Sequence, residues 1–257
     1  NICNMYKIDH LLNANEEVGV IMKDFYMDLH IHIGRTASGK PVKITGSKTL
    51  TLHTILQCAS SQKGLDMIGV IDCHSPEVLV EIEGLLKRGE MIELAEGGLR
   101  FQETTLLLGS EIEVYDSYCH GPIHVLAYFP TIEKMKAFSD WMSNHVKNIS
   151  LSSQRIYVEG RALQQKVYEY DGLFVPAHVF TPFKSLYGKG VKRSLTEVFD
   201  PNYIDAIELG LSSDTQMVRN IKELQQYPFL TNSDAHSLGK IAREYQKLTL
   251  KDANFNE

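Results

Sequence analysis

From residue 25 onward, short apolar runs alternate with longer stretches whose apolar residues recur every three or four positions. The short runs read as buried strands and the three-to-four spacing as the buried face of a helix. A strand near 25–31 is followed by a helix near 50–63, with Leu52, Ile55, Leu56 and Ala59 on one face and Gly64 as its stop. A second strand covers 67–71, and Ser75-Pro76 opens a helix with Val78, Leu79, Ile82, Leu85 and Leu86 inward. Strands at 104–108 and 123–129 precede a helix striped by Met135, Phe138, Trp141, Met142, His145, Val146 and Ile149. A helix near 161–170 stops at Asp171-Gly172, and a fifth strand spans 173–175. Ser194 and Glu197 have the spacing of a capping box. A strand at 204–209, a helix near 214–226, a strand at 229–231 and a last helix complete the pattern, while 247–257 carry no distinctive signal. Seven strands alternating with helices predict an α/β fold, a seven-stranded (βα) TIM-like barrel whose site lies at the C-terminal ends of the strands.

Residues 1–23 lack this period and read as an extension or leader, with Met22 a plausible native start and His10 solvated. One catalytic domain over 24–250 and a tail at 251–257 are expected. The 43% hydrophobic and 23% charged residues are those of an ordinary globular protein. The net charge of −6 excludes a protein basic all over, though not local basic patches. No apolar run reaches the roughly 18 residues of a membrane span. The four cysteines form no CxxC pair, which argues against a disulfide framework or zinc ribbon and for a reducing cytoplasm.

The chemistry gathers at strand ends. His30 and His32, two apart on a strand, share a face and converge on one spot. The other candidates are His74, Glu111, His124, His178, Asp234 and His236, all expected to be metal ligands, with Asp234, His236, Glu111 and His178 the catalytic set. His120 competes with His124, and Glu113 with Glu111. Asp28 and Asp72 are expected to orient histidines rather than bind metal. His145 is expected to be packed, His53 exposed, and Cys73 a small buried residue. Imidazole and carboxylate donors suit zinc, manganese or iron, and such ions generate hydroxide at neutral pH and clamp the oxygens around phosphorus. Two loops bear on the substrate. One, over 33–48, holds Arg35, Lys40, Lys43 and Lys48 without an acidic residue. The other, over 180–194, interleaves Lys184, Lys189, Lys192 and Arg193 with Phe180, Phe183 and Tyr187. Arg35, Lys40, Phe183, Lys184, Tyr187, Lys189 and Lys192 are therefore the expected substrate contacts, cations for phosphates and rings for unstacked bases.

The order Asp28-Leu29-His30-Ile31-His32, Asp72-Cys73-His74, Gly109-Ser110-Glu111, Pro176-Ala177-His178 and Ser233-Asp234-Ala235-His236 resembles the PHP (polymerase and histidinol phosphatase) family over about residues 25–246. The stretches that begin at His30, Gly109, Phe180 and Asn232 are similar to bacterial endonuclease Q proteins, which nick DNA on the 5′ side of deaminated bases and at abasic sites. The resemblance implies one metal on His30, His32, Glu111 and Asp234, and a second on Glu111, His124 and His178. It implies a third on His74 and His236 with a residue from the loop after the first strand. Residues 33–52 contain no His, Asp, Glu or Cys for that loop position, so two well-held ions and an incomplete third are expected. Endonuclease Q proteins also continue into a four-cysteine zinc-binding segment and a helical region that this stretch lacks, so it reads as the catalytic domain.

The leading expectation is a metal-dependent DNA endonuclease acting on deaminated or abasic DNA. A phosphomonoesterase acting on a small metabolite, like histidinol phosphatase, is the alternative on the same barrel. An amidohydrolase-like deaminase shares the opening His-x-His but not Asp72-Cys73-His74 or Asp234-x-His236. A nucleic-acid-binding module with structural metals is the non-enzymatic alternative, and closed coordination would mark it.

Overall fold

The computed structural model describes residues 21–257, so most of the expected leader, with His10 and Cys3, lies outside the described residues. In chain order the strands are β1 (Lys23–Ile31), β2 (Met67–Val70), β3 (Ile92–Glu93), β4 (Leu99–Phe101), β5 (Thr104–Val114), β6 (Ile123–Phe129), β7 (Arg155–Ile156), β8 (Leu173–Pro176), β9 (Ile207–Glu208), β10 (Phe229–Leu230) and β11 (Gln246–Leu250). The α-helices are α1 (Leu52–Gln57), α2 (Pro76–Lys87), α3 (Ile132–Ser143), α4 (Gly160–Glu169) and α5 (Thr215–Val218).

β1, β2 and β5 pair in parallel, with β11 antiparallel on the outer edge of β1. β6 then pairs antiparallel with both β5 and β8. The sheet is therefore mixed, not the all-parallel arrangement that the βα alternation predicts. Only a short loop, 115–122, joins β5 to β6. A connection of that length permits an antiparallel return, whereas a parallel return needs a crossover. The consequence is functional: His124, near the start of β6, lies beside Glu113, near the end of β5. Backbone hydrogen bonds from Asp205 to Phe174 and from Val179 to Glu208 carry the ladder from β8 to β9. β9 and β10 pair in parallel, and the segment after β10 returns to β1 through Ala235, whose N–H and C=O bond His30 and His32.

Alternation along the strands splits the core in two. Met67 and Ile71, Leu107, and Leu126 and Tyr128 form an inner cluster with Met27 and Leu29. Ile68 and Val70, Leu106 and Leu108, and Val125 and Phe129 face the helices. This is the two-faced burial of a sheet covered on both sides. The inner face is tight. A Cβ on Gly69 would stand 2.3 Å from the Leu29 carbonyl oxygen.

Several elements depart from the sequence pattern. α1 gives way to a π-helical turn over Cys58–Lys63. The expected helix near 214–226 shrinks to α5 and a 3-10 turn at Lys222–Leu224. The expected last helix is a 3-10 turn at Leu238–Lys240 followed by edge strand β11. α3 ends at Ser143, so His145 is not helical, although its ring lies against Trp141 at 4.8 Å. The hairpin β3–β4 turns through Gly97 and Gly98, both at positive φ.

Gly69→Ala is expected to destabilise the fold by about 2–3 kcal/mol through overpacking at the β1–β2 seam. Gly239→Ala, with open space around it, should stay within about 0.5 kcal/mol of the parent. Urea unfolding midpoints of the two variants check both values.

Candidate metal centre

β1 delivers its chemistry on alternate positions: Asp28 and His30 share a face, with His32 just beyond the strand, and all three are fully buried. His30 Nε2 lies 3.4 Å from Asp234 Oδ1 and 3.5 Å from Glu111 Oε1. His32 Nε2 lies 3.5 Å from the same Asp234 oxygen and 3.6 Å from Glu111 Oε2. Donors held about 2.1 Å from one tetrahedral ion stand about 3.4 Å apart, so these separations suit a shared cation. On the other side of Glu111, Oε1 lies 2.9 Å from His124 Nδ1 and 3.5 Å from His178 Nε2. His30, His32 and Asp234 form one donor group and Glu111, His124 and His178 another, each with donor atoms within 4.8 Å of one another.

The donors fit metal by a second criterion. Nε2 of His30, Nε2 of His32, both ring nitrogens of His124 and Oδ1 of Asp234 are buried without a hydrogen-bond partner. An unpaired buried polar atom costs roughly 1–3 kcal/mol, and several converging on two points would be hard to sustain. An ion at each donor group would satisfy these atoms except one ring nitrogen of His124, because an imidazole gives a single ion only one nitrogen.

Behind the donors stands a layer of carboxylates. His30 Nδ1 is 2.9 Å from Glu208 of β9, which also accepts from the Asn232 amide at 2.8 Å and from the His178 N–H at 2.8 Å. His32 Nδ1 is 3.1 Å from Asp72, which accepts from the Ile33 N–H as well. Such contacts fix ring orientation and leave Nε2 as the donor atom. Asp28 plays another part, accepting from the backbone N–H groups of Ser233 and Ala242 and so tying the Asp234 loop to β1. Burial opposes ionisation of Glu111, but His124 and Lys43 outweigh it and hold the carboxyl well below its usual range. Burial likewise works against a charged His30, yet Glu208 and Asp234 keep its proton on well above the usual imidazole range.

The loops are strained where they meet the site. His178, Asp234, Ser153 and Lys184 have positive φ, and all four line one open cleft of about 530 Å³ beside the donors. Non-glycine residues in this region cost about 1–3 kcal/mol and concentrate at functional sites. Gly210 makes one of them possible, since a Cβ there would stand 2.7 Å from that of His178.

The remaining expected residues fall in different places. His74 is fully buried with Nδ1 2.8 Å from the Ser110 hydroxyl and Nε2 3.2 Å from the Leu151 carbonyl, outside both donor groups. His236 also lies outside them, although its ring packs on His32 at 4.5 Å and lines the cleft. Glu113 faces His124 Nε2 at 3.7 Å and Lys184 at 3.0 Å, and His120 points to Glu197 instead. Of the expected substrate contacts, Phe183 and Lys184 line the cleft. Arg35 bonds the carbonyl of Gly39 within its own loop, and Lys40 pairs with Glu77. Tyr187 is fixed by its hydroxyl on Glu223 and its ring on Phe180. Lys189 lies 5.1 Å above the Phe183 ring, and Lys192 is on the exposed surface. The sequence pattern does not mark Glu208, Asn232, Ser153 or Gly210 as site residues, and it shows Lys43 only as one of several loop cations.

No protein-family model matches the chain. A two-domain protein from Bacteroides vulgatus, described as containing a predicted PHP-like metal-dependent phosphoesterase, shares the fold with a TM-score of 0.53 at 12% identity, over 91% of this chain and 61% of that one. The crystal structure of an endonuclease Q in complex with a 27-mer duplex substrate carrying an abasic lesion superposes with a TM-score of 0.76 at 29% identity, over 91% of this chain and 55% of that one. The chain shares the fold of PHP-like phosphoesterases and resembles endonuclease Q in both fold and sequence. The uncharacterized protein YqxK of Bacillus subtilis (strain 168) is 62% identical over 236 residues, which is 92% of this chain and 61% of that protein. The chain thus spans a little over half the length of the relatives it matches. Among the described residues, no helix is long and apolar enough to cross a membrane.

Two measurements probe the centre. Glu208→Gln and Asp72→Asn should each weaken metal binding by about 10- to 100-fold, read by competition with a chromogenic chelator. Metal uptake should also release protons. A folded pKa raised above the unfolded one means that the bound proton on His30 stabilises the metal-free protein at low pH, and that this contribution fades as pH rises through the folded pKa. A metal must displace that proton, so affinity should rise with pH. Calorimetry at neutral pH in buffers of different ionisation enthalpy is expected to register at least about one proton released.

Proposed function

We propose that this domain is a metal-dependent DNA endonuclease that nicks DNA 5′ to deaminated bases or at abasic sites, as part of DNA repair. The observation that carries the reading is the paired donor set around Glu111 at the end of an open cleft, on a fold shared over 91% of the chain with an endonuclease Q bound to abasic DNA. The reading includes a seven-stranded barrel of β1, β2, β5, β6, β8, β9 and β10, supported by the backbone hydrogen bonds that lead from β8 through β9 and back to β1. It places the domain at 24–250 in a reducing cytoplasm, with which the free Cys58, Cys73 and Cys119 agree.

His30, His32 and Asp234 would hold one ion and Glu111, His124 and His178 the other, with zinc, manganese or iron suited to the imidazole-rich set. Such ions supply hydroxide at neutral pH and neutralise charge on a phosphoryl group. The chain's own residues do the rest. Glu208 and Asp72 keep the Nε2 atoms of His30 and His32 aimed at the site. A carbonyl can only accept, so the 3.0 Å contact between His236 Nδ1 and the Asp234 carbonyl puts the ring proton on Nδ1. Nε2 of His236 is then free to take a proton beside the phosphate. The Phe183 ring, 70% exposed and at the cleft, offers a stacking surface for an unstacked base, while Lys184 offers a cation to the backbone. A damaged pair costs less to open, which favours its entry into such a cleft.

The test is a labelled duplex with a single deoxyinosine or abasic analogue, incubated with manganese or zinc beside an undamaged duplex. One metal-dependent nick at the lesion, reduced at least about a hundredfold by Asp234→Asn, is the expected result. Hydrolysis of small phosphate monoesters with both duplexes left intact would instead point to the phosphomonoesterase.

A further inference from the structure

Lys43 occupies a place in the centre that the donor set does not explain. Its backbone is pinned on both sides: its N–H bonds the Ile33 carbonyl at 2.8 Å, and the neighbouring Val42 carbonyl accepts from Ser152 at 3.0 Å. The segment is therefore strapped between the exit of β1 and the 151–154 wall of the cleft. Its side chain is only 15% exposed, and Nζ lies 3.2 Å from Glu111 Oε2 and 2.6 Å from the Ser153 hydroxyl. Burying a flexible lysine to this extent costs side-chain entropy and hydration, so the position is a built one. Glu111 Oε1 faces His30, His124 and His178, whereas Oε2 faces His32, Lys43 and Ser153. A divalent ion drawing on this carboxylate would weaken its hold on the ammonium and repel it. Lys43 already lines the open cleft.

We propose that Lys43 is a substrate-contacting residue, whose ammonium binds a non-bridging oxygen of the phosphate presented to the metal centre. The inference rests on the phosphoesterase reading of the site, but not on DNA as the substrate. A phosphodiester oxygen in the cleft would take the place of Glu111 as the acceptor for Nζ, with the Ser153 hydroxyl as a fixed second partner. Before substrate arrives, the same ammonium competes with metal for Glu111. Removing it should therefore harm phosphate without harming metal, a combination that a structural pin would not produce.

The experiment uses Lys43→Met, which keeps the stem and removes the charge, and Lys43→Arg, which keeps the charge. Inorganic phosphate binding to the manganese-loaded protein is measured by calorimetry, and manganese affinity by chelator competition. Lys43→Met is expected to weaken phosphate binding about tenfold or more while leaving manganese affinity equal or several-fold tighter. Lys43→Arg should keep phosphate affinity within about threefold of the parent. KM for bis(p-nitrophenyl) phosphate should rise in step with the loss of phosphate affinity. Unchanged phosphate affinity in Lys43→Met overturns the proposal, as does weakened manganese binding that by itself accounts for the phosphate loss. Because the probes are inorganic phosphate and a small diester, failure to nick damaged duplex would sink the DNA reading and leave this result standing.

Discussion

Glu111 is the interaction on which the rest of the structure depends. Its carboxylate is 1% exposed and lies within 3.6 Å of four histidines drawn from three distant parts of the chain. A charged carboxylate cannot be buried at this depth without compensation. The fold supplies it from β1, β6 and the segment after β8, and those three can meet only because the β5–β6 pairing is antiparallel. Reversing β6 would carry His124 to the far end of the sheet. The geometry of one buried charge thus explains a feature of the topology that strand counting does not.

The charge arithmetic of the centre leads to the same place. Asp28, Asp72, Glu111 and Glu208 are all essentially buried, and Asp234 stands at the edge of the cleft. Asp28 accepts from two backbone N–H groups, and Asp72 and Glu208 face imidazoles. Glu111 and Asp234 are the two carboxylates that face the cleft, and both belong to the donor groups. Cations would be drawn there. The same potential would repel a phosphodiester until those cations were in place, which orders the events: metal first, substrate second.

Much of this was legible in the sequence for a simple reason. The two-residue period of a strand places His30 and His32 on one face without further information, and strand ends followed by His, Glu or Asp announce their own convergence. Glu208 shows where legibility stops. In the run Ile204-Asp205-Ala206-Ile207-Glu208-Leu209 the alternation puts Glu208 with Ala206 and against Ile207 and Leu209, a weak signal beside the apolar residues around it. His74 is the opposite case, a strand-end histidine whose ring nitrogens both find protein partners. Lys43 and Ser153 could not be read, since loops have no period and their reach depends on backbone pinning made by segments more than a hundred residues apart. β11 escaped because Gln246 to Leu250 alternates over too few residues to give a distinctive signal.

The division of labour between strands and loops has an energetic meaning. Each donor group takes two members from on or next to a strand, His30 and His32 in one, Glu111 and His124 in the other. Each is completed by a loop residue at positive φ, Asp234 in the first and His178 in the second. Strain of about 1–3 kcal/mol at each of these positions persists only where the surroundings over-determine the backbone. Glu208, Asn232, Gly210 and Asp28 provide part of that hold. A bound cation would provide the remainder by fixing the side chain that the strained backbone presents. The rigid half of each group would define where an ion sits, and the strained half would make its binding and the local order of the cleft walls one linked equilibrium. The residues proposed to touch substrate, Phe183, Lys184 and Lys43, would then be set in place by the same ions that would activate the phosphate.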